Sequence, residues 1–160
     1  MITDFASEFA KYKTTAEKAF TRMDEDGLNR VPATEANSIA MLVRHMSGNL
    51  RSRFTDFLTS DGEKPWRQRD DEFVTRAYSR ADVERLWGEG WQVLEHTLSK
   101  LSDADLNRTV LLRGESLSVH AALCRALAHV AYHTGQIVLL ARMLTTDDWK
   151  SLSIPKAPSR

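Results

Sequence analysis

SVHAALCRALAHVAYHTGQIVLLARML, residues 118–144, places Val119, Leu123, Leu127, Val130, Ile137 and Leu144 at spacings of three, four and seven. That period belongs to a helix with one apolar stripe, so the run predicts the longest helix of the chain, starting near Ser116 or Ser118. His129 and His133 sit four apart within it. Residues at that spacing share a helix face, with Cβ atoms about 5–6 Å apart, close enough for two imidazoles to hold one small cation.

Three further helices are expected upstream. Ile2, Phe5, Phe9, Tyr12, Ala16, Ala19 and Met23 form one stripe, and Gly27, after Asp24-Glu25-Asp26, is read as its stop. A second helix follows Pro32, carries Ile39, Leu42, Val43, Met46, Leu50, Phe54 and Phe57, and ends before Ser60-Asp61-Gly62. A third opens at Ser79-Arg80-Ala81-Asp82, a capping box with aspartate in place of glutamate. It continues through Val83, Leu86, Trp87, Trp91, Leu94, Leu98 and Leu101, with Gly88 and Gly90 weakening it locally. Trp87 and Trp91 read as core packing ahead of a pocket wall. The expected architecture is all-α, a four-helix bundle in a single domain over residues 1–160.

Two connections depart from simple bundle turns. Residues 59–78 exceed the ordinary helix–helix link of about 2–8 residues, which predicts a crossover with a short helical piece near Asp71 to Arg76. Lys64, Trp66, Arg67 and Arg69 in it read either as a cover for a site or as a solvated basic segment. Residues 107–115 include Thr109-Val110-Leu111-Leu112, a β-prone run ended by Gly114 that suits a small hairpin or an edge strand. The end after Leu152 reads as a tail.

Composition excludes several classes of function. At 160 residues the chain buries roughly two-thirds of its unfolded surface without staples. Its 22 basic and 22 acidic residues cancel, so no global field draws it to nucleic acid or anionic lipid. One cysteine, Cys124, excludes an intrachain disulfide, fits a reducing compartment, and reads as a small buried core residue. No leader pattern and no run of about 18 apolar residues is present, which together predict a cytoplasmic protein without a membrane span.

A third histidine completes the pattern. At about 100° per residue, His45 on the second helix lies about 60° from Leu42, on the flank of the stripe, and Asn49 and Arg53 fall progressively further into it. The same projection puts His133 inside the stripe of the last helix, His129 on its flank and Gln136 beyond. Polar side chains entering an apolar face need partners or a water-filled pocket, because unpaired burial costs several kcal/mol. One such histidine is ordinarily a core residue satisfied by a carbonyl or water; three together point to His45, His129 and His133 as ligands of one divalent ion. His96, beside Glu95, reads as surface, and His120 projects to a different face. No Glu-x-x-His pair for a di-iron bundle occurs, no His-Glu-x-x-His for a zinc protease, no Cys-x-x-Cys-His for haem and no glycine-rich phosphate loop. A nitrogen-only triad suits zinc, nickel or another first-row divalent ion.

Several stretches resemble one family in order along almost the whole chain: Asn37-Ser38-Ile39-Ala40, His45-Met46-Ser47-Gly48-Asn49, Asp61-Gly62-Glu63-Lys64-Pro65-Trp66-Arg67, Arg113-Gly114-Glu115, the nine residues from His129 to Ile137, and Leu152-Ser153-Ile154-Pro155-Lys156. They are similar to the DinB/YfiT-like superfamily of four-helix proteins, within it a subfamily of uncharacterised bacterial proteins. The resemblance implies a bundle with a long crossover after the second helix, a divalent metal on His45, His129 and His133, and frequent dimerisation. It also implies relatives that are thiol-dependent transferases and isomerases or metal-dependent hydrolases. The tail departs from the pattern, with Ala157-Pro158 where glycine is expected.

The functional expectation is a divalent-metal-dependent enzyme acting on a small molecule, with transferase chemistry that uses a low-molecular-weight thiol, or hydrolase chemistry, at a three-histidine site in a homodimer. Asn49 and Arg53 are its candidate cofactor-binding residues; Arg53 suits an anionic group and equally an intramolecular ion pair. The rival expectation is a stress-associated metal-binding or interaction protein without turnover.

Overall fold

Helix α1 spans Ile2–Phe20 and buries Ile2, Phe5, Phe9, Ala16 and Ala19, the stripe read from the sequence. This computed structural model describes residues 1–145, 149–152 and 154. Ser153, Pro155-Lys156, the Ala157-Pro158 departure and the rest of the expected tail lie outside the described residues.

The first helix does not reach Met23. Asp24 takes the extended backbone of an N-cap and accepts the Gly27 N–H at 2.7 Å, so the acidic run starts a short helix, α2 (Glu25–Asn29), instead of ending α1. Helix α3 (Ile39–Phe54) begins at the Ser38 cap rather than soon after Pro32. Phe57 falls beyond its end, in a turn at Asp56 (φ 48°), yet remains buried.

Helix α4 covers Arg80–Lys100 with the Ser79–Asp82 capping box as read. Its glycines do not break it. Gly90 packs on α3, where an added Cβ would stand 2.7 Å from Ser47 Cα, so the missing side chain allows the two helices to approach. Trp87 meets Phe20 edge-on at 5.4 Å and donates its indole N–H to Glu17 at 2.9 Å; Trp91 meets Phe9 at 6.4 Å. Both belong to the core.

The β-prone run forms a hairpin, β1 (Thr109–Leu112) paired antiparallel with β2 (Glu115–Ser118). Its two-residue turn, Arg113-Gly114, has φ of 55° and 75°, the doubly left-handed geometry that matches strand twist in tight hairpins. Ser118 then caps α5 (Val119–Leu144).

The long crossover is tied at both ends. The Asp61 carboxylate accepts from the backbone N–H groups of Glu63 (2.7 Å), Arg113 (2.8 Å) and Gly114 (2.8 Å), pinning the loop after α3 to the hairpin turn. Further on, Arg44 donates to the Asp71 carbonyl at 2.6 Å, to the Asp71 carboxylate and to the Tyr78 hydroxyl, holding a 3-10 turn at Asp70–Phe73 against α3. The buried residues of α1, α3, α4 and α5 form one cluster, each large side chain contributing about 1.5–3 kcal/mol by leaving water. The described residues are all-α apart from this hairpin. Among the described residues, no helix is long and apolar enough to cross a membrane.

Candidate metal centre

Packing of α3 against α5 brings His45 to the His129 and His133 pair. His45 Nε2 lies 3.1 Å from His129 Nε2, and the ring centroids of His45 and His133 are 4.8 Å apart. One donor nitrogen from each of the three rings lies within 4.8 Å of the other two. Two nitrogens that are each about 2.0–2.1 Å from a shared ion stand roughly 2.9 Å apart at a right angle and about 3.4 Å apart at the tetrahedral angle. The His45–His129 separation falls between these limits, so that pair has the spacing of two ligands on one divalent cation, and a donor nitrogen of His133 lies within 4.8 Å of both.

The outer ring nitrogens fix the tautomers. His45 Nδ1 lies 2.8 Å from Glu72 Oε2, and a carboxylate only accepts, so Nδ1 carries the proton and Nε2 keeps its lone pair toward the cluster. His133 Nδ1 donates to Gln136 Oε1 at 2.7 Å, with the same result for its Nε2. Glu72 comes from the 3-10 turn of the crossover and is held by Arg67, whose Nε and Nη2 donate to its two oxygens at 2.8 and 2.9 Å. Gly48 makes room for it, since a Cβ there would lie 2.0 Å from Glu72 Oε1. Phe73 covers His45, ring to ring at 4.7 Å.

Burial governs the protonation states. It disfavours imidazolium at His129, with added repulsion from His133, His45, Arg67 and Arg53, and lowers its pKa to about 3. His133 is lowered by burial to about 4 against the opposing Gln136 bond. Both are neutral at physiological pH, the form that ligates metal. Burial pushes the Glu72 carboxyl up, but the hydrogen bonds from His45 and Arg67 outweigh it and hold it below the usual glutamate value.

The cluster opens on a cleft of about 770 Å³ whose wall includes Asn49, Arg53, Arg67 and Arg69. The Asn49 side chain is buried and makes no hydrogen bond to another described residue. Arg53 forms the intramolecular ion pair, its Nη1 donating to Glu63 at 3.2 Å and to the Gly62 carbonyl at 2.6 Å, and it also lines the cleft. Burial lowers its pKa. The basic crossover splits in two. Arg67 and Arg69 line the cleft and Arg67 is buried, whereas Trp66 is exposed, with Arg51 over its ring at 5.7 Å.

The family match comes from the whole chain. Residues 1–158 match the family described as "Protein of unknown function (DUF1572)". The chain belongs to that family. DUF1572 in turn lies within the DinB/YfiT-like superfamily. No curated protein matches the chain.

In this DUF1572 protein, His96 and His120 stay on the surface, His120 edge-on to Phe5 at 5.6 Å. Cys124 overturns its reading as a core residue: it is exposed, on the outer side of α5 one turn from His120. Glu72 was not singled out by the sequence. Its only signal is the acidic run Asp70-Asp71-Glu72 next to Phe73 inside the crossover, which does not say which carboxylate turns inward.

Proposed function

We propose that the chain is a divalent-metal-dependent enzyme acting on a small molecule, with His45, His129 and His133 as ligands in a bundle of the DinB/YfiT-like type. The observation that supports it is a ring-nitrogen cluster in which Glu72 and Gln136 turn the free nitrogens of His45 and His133 toward a common centre. A zinc or nickel ion there would supply Lewis acidity, lowering the pKa of a thiol or water and polarising an electrophile, as thiol-dependent transfer or hydrolysis requires.

The chain's own residues do the rest. Arg67 holds Glu72, Glu72 orients His45, and Phe73 keeps water from that ring. Asn49 and Arg53 present polar contacts on the cleft wall for a reactant or a low-molecular-weight thiol. The open cleft favours turnover over an ion that only braces the bundle, because structural zinc sites are closed by four protein ligands. A homodimer belongs to this reading, supported by the exposed Tyr132, Leu139 and Met143 along α5.

The test is elemental analysis of protein purified without a polyhistidine tag, together with a panel of thiol–electrophile pairs, esters and amides. One ion per chain, lost in His45→Ala while the melting temperature of the metal-free protein stays close to that of the parent, is the expected result. Zero ions from metal-replete cells would sink the proposal.

A further inference from the structure

Asn49, Arg53, Arg113, Arg125 and His129 face both the open cleft and a second, more enclosed cavity of about 160 Å³ beneath the hairpin. They form the doorway between the two. Three of the five are guanidiniums, in a chain whose charges sum to zero. Arg125 has its own partner, Glu115, at 3.3 Å. Arg53 and Arg113 share one, the Oε2 of Glu63, at 3.2 and 2.8 Å. The Asp61 carboxylate on the Arg113 backbone N–H interacts with Lys64, so these side chains and their partners leave one positive charge over at the doorway. Elsewhere on the cleft wall, Arg67 is matched by Glu72 and Arg69 by Asp70 at 3.2 Å.

The surplus is partly shielded from water, with the Arg53 side chain only 16% exposed, so it attracts an anion more strongly than a surface arginine does. Paired guanidiniums take an anion that offers two oxygens in one plane, and a single surplus charge favours a carboxylate monoanion over a phosphate dianion. Asn49 points to a ligand independently: the residue is 7% exposed, lines both the cleft and the cavity, and its carboxamide makes no hydrogen bond to another described residue.

The cavity behind the doorway is apolar, walled by Phe54, Phe57, Val110, Leu112 and Ala126. Apolar cavities of about 150 Å³ stay dry and accept benzene. We propose that the site takes a small carboxylate with an apolar group the size of a phenyl ring: the ring fills the cavity, the carboxylate sits on Arg53 and Arg113 with Asn49 beside it, and the connecting carbons pass His129. This rests on the histidine cleft being the reacting centre, but the groups that recognise the ligand are largely other residues.

Phenylacetate titrated into the full-length protein, before and after chelator treatment, tests it by calorimetry and amide chemical shifts, with 2-phenylethanol and acetate as probes lacking one half of the ligand. Phenylacetate is expected to bind at least about tenfold more tightly than either, with shifts centred on Asn49, Val110 and Ala126. Arg113→Gln, at a 58% exposed side chain and so without risk to folding, should weaken phenylacetate about tenfold. Ala126→Leu, which fills the cavity, should remove the advantage of phenylacetate over acetate. Phenylacetate binding no tighter than acetate, or indifferent to Arg113→Gln, overturns the proposal. Zinc is titrated separately. Zinc binding without phenylacetate binding sinks this proposal alone, and phenylacetate binding without zinc binding sinks the metal reading alone.

Discussion

Glu72 and His45 are joined by a 2.8 Å hydrogen bond between side chains 27 residues apart, one from the crossover and one from α3. The bond fixes which nitrogen of His45 faces the cluster. Glu72→Gln keeps the shape and removes the charge, and metal affinity is expected to fall about 10–100-fold, the range found for partners of ligating histidines. Chelator competition measures it. Unchanged affinity would show that His45 needs no such partner.

Gly48→Ala probes the same bond from the opposite side. In an ordinary helix interior the change adds up to about 1 kcal/mol of stability. Here the new methyl meets Glu72, so the expected result is a melting temperature that does not rise and a metal affinity that falls. A rise in melting temperature with full affinity would mean that Glu72 moves aside at no cost to the site.

Gly90→Ala tests the packing of α3 on α4. The obstacle at Gly90 is the Ser47 backbone rather than a movable side-chain tip. Overpacking of this kind costs about 1–3 kcal/mol, to be read from urea denaturation midpoints.

Asp61 governs an acid dependence. Its three backbone N–H bonds lower its pKa to about 2, first through Glu63, then through Gly114 and Arg113. The folded state therefore binds this proton less readily than the unfolded chain. The contribution is present above the unfolded value of about 3.9 and is lost as pH falls toward 2. Asp61→Asn should flatten the pH dependence of stability over that window, and carboxyl NMR titration should place the midpoint near 2.

His96→Ala and His120→Ala are the controls. Both side chains are exposed, and stability should stay within about 0.5 kcal/mol with full metal stoichiometry, against its loss in His129→Ala.

The periodic elements were legible because apolar spacing reports the buried face directly: the stripes of α1, α3, α4 and α5 and the positions of His45, His129 and His133 follow from it. Thr109 to Leu112 was legible as a β-run because a glycine punctuates β-branched and leucine residues. Gly27 was misread as a helix stop because an acidic run before a glycine can close one helix or open the next, and only the extended backbone of Asp24 distinguishes them. Cys124 was misread because it lies among apolar neighbours yet just off the stripe. Glu72 was hidden, and the two readings of Arg67 were left open, for a different reason. Both residues belong to an aperiodic crossover, where no repeat tells which charges turn inward.

The 84-residue separation of His45 and His129 also sets an order of events during synthesis. A ribosome making this chain releases His45 and Glu72 long before α5 exists, so the nascent polypeptide holds one imidazole of the set and no chelating pair. Only when the final long helix docks do all three rings meet. Under the proposed function, ion capture would wait for α5, and a translation product that stops before α5 would keep one of the three candidate ligands.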